Sequence, residues 1–410
     1  MSVFWLYLRL FIMMFLQFAI WGAWAPVLGQ VLDKMGFSGT QMGWVFSLFP
    51  LACILSPFIG GQIADRYMPT QWFLSIASII SGVAYLMASH QSGFTEMSWL
   101  MFIGCFAFAP TIALSSSLAF QNLKQVDRDF GIIRVGGTIG WIASGLILTA
   151  WRNMRGGDVV GTLPIDCLQL GGWAAILMGV YCLTLPNTPP QREGTNPLAF
   201  MQALRMLKDP VFAIFMAISF VVTTELQFYY VLTSPFLSHI GVSDASIPMA
   251  MTLAQFAEIF VMALALPLVL PRLGIRKTLA IGVIAWPIRY VIFAIGGPVW
   301  LVIASLTLHG FCYVFFFTVS QVYVDKVAPK DIRASAQSLL SLITLGIGSW
   351  LGSLFCGWIK DWQTTGTGAA AVTNWRIVFL VPILLTAACA LAFMLFFKER
   401  EAAEPEVATA

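Results

Sequence analysis

Two long apolar runs in this chain carry acidic residues. VFAIFMAISFVVTTELQFYYVLTSPFL contains Glu225 and Gln227, and MTLAQFAEIFVMALALPLVL contains Gln255 and Glu258. A carboxylate near a bilayer centre costs on the order of 2.5–3.5 kcal/mol on insertion scales, so it faces a bundle interior or an aqueous path. There it takes up or releases a proton, and a neighbouring amide adds hydrogen bonds to a polar solute. Gln255 and Glu258 are three residues apart and share a helix face; Glu225 and Gln227, two apart, do not. One of the latter pair then faces a cavity while the other makes an interhelical bond. The competing reading for each carboxylate is a buried hydrogen-bond network with no transport role.

Arg134, in DFGIIRVGGTIGWI, is the matching cation. It either snorkels to the membrane surface or turns inward to meet a carboxylate or donate to a solute. Thr138 and Trp141 follow at i+4 and i+7 on its face, and the indole offers a stacking surface for a planar ring. Gly136, Gly137 and Gly140 suit close helix packing. His309 and Tyr313 are four apart; His309 is a solute contact or a neutral core residue. Arg289, in AWPIRYVIF, has no partner assignable from sequence. Gln17, Trp21 and Trp24 occupy related faces that line a cavity or form an interfacial aromatic belt. Pro110 with Thr111 predicts a broken or kinked fourth helix, and Pro235 a local bend in the seventh.

These residues need a membrane scaffold. A hydrophobic fraction of 59%, only 10% charged residues and a mean hydropathy of +0.84 exclude an ordinary soluble domain. The net charge of +3 and the scattered basic residues give no nucleic-acid footprint. Seven cysteines, an odd number without a CxxC, read as core thiols. With only three histidines in the chain, no metal centre is expected. No GxxxxGK[ST], HExxH or GxSxG pattern occurs, which argues against an enzyme or an ATP-driven pump. The first residues are apolar without a basic leader or cleavage motif, as in a retained first span.

Twelve spans are expected, at 4–29, 41–64, 71–89, 98–121, 131–151, 167–186, 211–237, 247–269, 277–294, 299–323, 335–358 and 374–396. The chain divides into a six-helix domain at 1–187, a cytoplasmic linker at 188–209 with a short surface helix near Phe200–Leu207, a second six-helix domain at 210–397, and a disordered tail at 398–410. Lys and Arg in the connections number fourteen on the side of the N-terminus against five opposite (Lys34, Arg152, Arg155, Lys360 and Arg376). That asymmetry places both termini in the cytoplasm. GGQIADRYMPTQW and PRLGIRKTLA, then VDRDFGIIR and VDKVAPKDIRASAQ, occupy corresponding turns in the two halves, a weak parallel repeat.

The segments FLQFAIWGAWAPVLG, GGQIADR, FAFAPTIAL, DFGIIRVGGTIGWI, TELQFYY, AQFAEIFVM and IRASAQ resemble, in order, those of the major facilitator superfamily and more closely its bacterial nucleoside:proton symporter family. The resemblance covers nearly the whole chain and implies an all-α twelve-helix transporter with two pseudo-symmetric bundles. It implies substrate contacts at Arg134, Thr138, Trp141, Gln227, Gln255 and Glu258. Tyr230, His309 and Tyr313 stand where the family has asparagine, tyrosine and phenylalanine, which alters the donor pattern and the solute preference. Proton coupling falls to Glu258, Glu225 and Arg134, and conformational gating to Asp65, Arg66, Arg276 and Arg333.

The expected function is proton-coupled nucleoside import across the bacterial inner membrane by alternating access, by a monomer with the proton as coupling ion and no bound cofactor. A symporter for a sugar, glycoside or other small polar metabolite is the first alternative, and a non-translocating solute receptor the second.

Overall fold

Without water in a bilayer, every backbone N–H and C=O must be satisfied within the segment, so apolar runs of this length become helices. The computed structural model describes residues 3–58, 67–157, 160–189, 198–366 and 370–397. Ten of its helical stretches are long and apolar enough to cross a membrane. Asp166–Cys182 adds a shorter one of 17 residues, and the 49-residue stretch Ile247–Ile295 holds two. The crossings therefore reach the twelve expected.

We label them α1 Val3–Lys34, α2 Gly39–Ser56, α3 Thr70–Ala88, α4 Phe94–Asn122, α5 Val126–Met154 and α6 Asp166–Cys182. Then follow α7 Pro210–His239, α8 and α9 within Ile247–Ile295, α10 Val299–Val327, α11 Lys330–Trp362 and α12 Trp375–Phe396. α8 and α9 are divided at Gly274, whose φ of 74° and ψ of 174° are non-helical and suit only glycine. Ends are capped where polar residues permit. Ser38 and Gln41 form a capping box on α2, and Asp209 caps α7 ahead of Pro210. Phe200–Ala203 and the 3-10 turn Leu204–Lys208 form the expected short linker helix.

α1 packs on α5 and α6, α3 on α4 and α6, α9 on α10 and α12, and α7 on α11 and α12. Helices of the first six meet helices of the last six mainly through α2 with α11 and α5 with α8. Glycine permits this approach: a Cβ on Gly43 would sit 2.3 Å from the Ser353 carbonyl oxygen. Outward faces carry Leu264, Ile288, Leu384 and Leu391, all exposed, as a lipid-facing surface requires. π-helical turns interrupt α7 at Phe228–Leu232, α8 at Val261–Ala265, α10 at Val314–Thr318 and α11 at Leu342–Gly348.

Three expectations narrow or change. α4 is unbroken at Pro110, which leaves only the kink of the two alternatives, and Thr111 Oγ1 there donates to the Phe108 carbonyl and accepts from Gln17 Nε2 at 2.7 Å. Trp24 lies fully in the core rather than in an interfacial belt. Arg152, counted above as a loop cation, is a fully buried residue of α5. The seven thiols are unpaired and six are buried, as core thiols should be. The tail at 398–410 lies outside the described residues, as does most of the linker's first part.

Polar contacts between the two sets of helices gather at the end opposite the linker. Arg152 grips Asp166 through Nε and Nη2 at 2.6 and 3.1 Å, and its Nη1 donates to Gln30 Oε1 and the Asp244 carbonyl at 3.1 and 3.0 Å. Gln30 Nε2 donates to Asp244 Oδ1 at 2.7 Å, and Lys34 pairs with the other oxygen. Lys360 meets Asp33 at 2.7 Å, and the Asp361 carboxylate accepts from the backbone N–H groups of Gly39 and Thr40.

Asp244 sits in the loop between α7 and α8. Burial alone would raise its pKa, but hydrogen bonds from Lys34, Ser238 and Gln30 hold it below the ordinary carboxylate value. A depressed pKa stabilises the closed end above the ordinary range and loses that contribution as pH falls through the depressed value. The closed population, read from spin-label distances across this end, is expected to be flat above about pH 5 and to fall below about pH 4. A distance distribution unchanged down to about pH 3 would remove Asp244 from the closure.

Candidate functional site

The residues singled out for chemistry converge between the two sets of helices. A cavity enclosing about 440 Å³ of space, part of it open to solvent, is lined by Phe18 and Trp21 from α1 and by Arg134, Gly137, Thr138 and Trp141 from α5. Tyr230 from α7, Gln255 and Glu258 from α8 and Tyr313 from α10 complete it. The size is ordinary for a small-molecule site. Helical spacing explains the walls: Arg134, Thr138 and Trp141 lie along one face of α5, and Gln255 and Glu258 along one face of α8.

The cavity is chemically two-sided. Trp21 and Trp141 meet edge to face at 5.3 Å and 69°, and Trp21 also packs on Phe49 at 4.6 Å. Across from them stand the phenols of Tyr230 and Tyr313. Arg134 reaches in over the Phe18 ring, its Cζ 4.0 Å from the centroid. A cation over an aromatic face is held without consuming its donors. Among the described residues, Arg134 and Glu258 form no hydrogen bond or ion pair with protein, and the buried Gln255 Oε1 has no donor. A half-buried guanidinium and carboxylate and a buried amide oxygen, each without a partner among the described residues, can hold a planar polar solute by its edges while the aromatic walls cover its faces.

Other expected site residues lie elsewhere. Gln227 is turned to α11, donating from Nε2 to Ser349 Oγ and accepting from Ser353 Oγ, each at 3.2 Å. It does not line the cavity. His309 is buried behind the wall, stacked on Tyr229 at 4.5 Å and 19° and on Tyr313 at 5.6 Å and 28°. Glu225 is fully buried, and neither carboxylate oxygen has a hydrogen-bond partner among the described residues. Arg276 donates to the Met394 carbonyl at 2.9 Å and Arg333 pairs with Asp325 at 3.6 Å. Asp65 and Arg66 lie outside the described residues. Phe18 was not singled out from sequence; one phenylalanine among 33 carries no signal of its own.

The sequence model of the family described as "Nucleoside H+ symporter" matches residues 4–402. The protein YegT of Escherichia coli (strain K12) is 36% identical over 405 residues, covering 96% of this chain and 94% of its own. The xanthosine permease of the same organism is 30% identical over 422 residues, covering 97% of each chain. A crystal structure of nucleoside transporter NupG superposes with a TM-score of 0.85 at 27% identity, over 96% of this chain and 100% of that one.

Proposed function

This chain belongs to the nucleoside H+ symporter family, proton-coupled nucleoside transporters that work by alternating access, and from that premise we propose how it works. Arg134, Thr138, Gln255 and Glu258 hold a nucleoside in the central cavity, with Trp141, Tyr230 and Tyr313 covering its ring, and Glu258 carries the coupled proton. The protein is a multi-pass inner-membrane transporter and not an enzyme. Residues 1–187 and 210–397 act as two lobes that rock about the cavity, joined by the linker at 188–209. The lysine and arginine asymmetry puts the linker and both termini in the cytoplasm, so the closed end faces outward and the cavity is reached from the cytoplasm. A monomer suffices, because the site is built within one chain.

One observation carries this reading: Arg134, Gln255 and Glu258, from two different lobes, face one space, and among the described residues neither charge has a hydrogen-bond or ion-pair partner and Gln255 Oε1 has no donor. A buried charge is costly unless something completes it. Solute bound between the lobes completes both charges and draws the lobes together, and this differential contact lets a ligand drive a conformational change. Protonation of Glu258 alters what that side of the cavity can accept, which links solute affinity to proton occupancy.

The test is uptake of radiolabelled uridine, adenosine and xanthosine into proteoliposomes with an imposed inward pH gradient, beside a protonophore control and a sugar panel. Accumulation of at least one nucleoside, abolished by the protonophore and indifferent to sugars, is the expected result. Sugar uptake without nucleoside uptake would overturn the substrate assignment. In the same assay Arg134→Lys is expected to raise the nucleoside KM by about tenfold or more, because a point-charge ammonium cannot reproduce the planar fork of donors. An unchanged KM would take Arg134 out of the site.

A further inference from the structure

Behind the cavity wall lies a second cation. Arg289, on α9, is fully buried and forms no ion pair among the described residues. Its guanidinium lies over three aromatic faces, 4.7 Å from Trp286, 4.8 Å from Tyr229 and 4.9 Å from Tyr290. Its Nη1 is 3.3 Å from His309 Nδ1, and Nη2 donates to Tyr290 Oη at 3.3 Å. Tyr290 Oη in turn donates to the Glu225 carbonyl at 2.6 Å.

We propose that Arg289 is a positioning residue for the solute cavity, acting through His309 to fix the Tyr313–Tyr230 wall. The inference rests on the cavity reading above. A guanidinium has donors only and stays charged in proteins, so the nitrogen facing it must be an acceptor. His309 Nδ1 therefore presents its lone pair to Arg289, and the ring hydrogen resides on Nε2. That bond sets the plane of the imidazole. Tyr313 stacks on this plane at 5.6 Å, and Tyr230 meets it edge-on at 6.4 Å and 81°. Both tyrosines line the cavity. Orientation thus passes from Arg289 to His309 to the two phenols by contact, and an apolar residue at 289 would fill space without fixing the imidazole.

The test joins a spectroscopic and a kinetic readout on full-length protein. With ¹⁵N-histidine label in lipid nanodiscs, the His309 signal is identified by its loss in His309→Asn. Wild type is expected to show the Nε2–H tautomer, Arg289→Met a tautomer mixture, and Arg289→Lys, which keeps a donor, the wild-type signal. In nucleoside counterflow, Arg289→Met is expected to raise KM about tenfold with the maximal rate within about twofold, and Arg289→Lys to recover most of the difference. An unchanged tautomer or an unchanged KM in Arg289→Met overturns the proposal. If Arg289→Met does not fold, His309→Phe, which keeps the stack and removes the acceptor, must raise KM similarly; an unchanged KM there overturns it too. Absence of counterflow in wild type would instead defeat the cavity reading, while the tautomer result would still decide whether Arg289 orients His309.

Discussion

Glu258→Gln is expected to abolish uphill, proton-driven nucleoside accumulation while leaving nucleoside counterflow within about threefold of wild type. Glutamine has nearly the same shape as the carboxyl group and keeps an acceptor and a donor, but never ionises. Glu258 faces the cavity without a hydrogen bond or ion pair among the described residues, so the substitution breaks no structural contact. What it removes is the dependence of solute affinity on protonation, and coupling is that dependence. Uptake under a pH gradient should then stop at equilibration, whereas exchange of labelled for unlabelled nucleoside continues. Accumulation at wild-type level in Glu258→Gln would move the proton to another group, with Glu225 the next to examine.

Arg152→Ala is expected to be the most destabilising single change at the closed end, by about 3–5 kcal/mol. Removing one partner of a buried pair leaves the other charge stranded. Asp166, nearly as buried as the arginine, would lose a bidentate partner, and Gln30 and the Asp244 carbonyl would each lose a donor. The remedy is specific: Arg152→Ala combined with Asp166→Asn should recover part of the loss, because the stranded carboxylate is gone. The check is Tm of purified protein in one detergent for wild type, single and double variants. A single variant melting with wild type would show that this cluster does not hold the end together.

Much of the architecture was legible because a bilayer permits few solutions. Runs of about twenty apolar residues can only be helices there, and residues three or four apart on one helix must share a face. Gln255 with Glu258, and Arg134 with Thr138 and Trp141, were found by that rule and do meet in one cavity. Gln227 and Tyr230, three apart on α7, were both named through the family resemblance, and only Tyr230 lines the cavity. The π-helical turn at Phe228–Leu232 widens the helix between them, so Gln227 turns to Ser349 and Ser353 while Tyr230 turns to the cavity. Arg289 and Arg152 were unreadable for another reason. Their partners, His309 on α10 and Gln30 with Asp166, come from other helices, and spacing within one helix carries no information about them. Arg152 also follows an apolar run directly, which made it look like a loop cation.

The most direct measurement of the central claim is proton uptake on nucleoside binding to purified protein. It is obtained by calorimetric titration at one pH in two buffers of different ionisation enthalpy. Proton uptake is predicted to accompany binding in wild type and to vanish in Glu258→Gln, with nucleoside still bound. Equal proton uptake in both proteins, or binding by wild type with no proton exchanged at any pH between about 5 and 8, would contradict it.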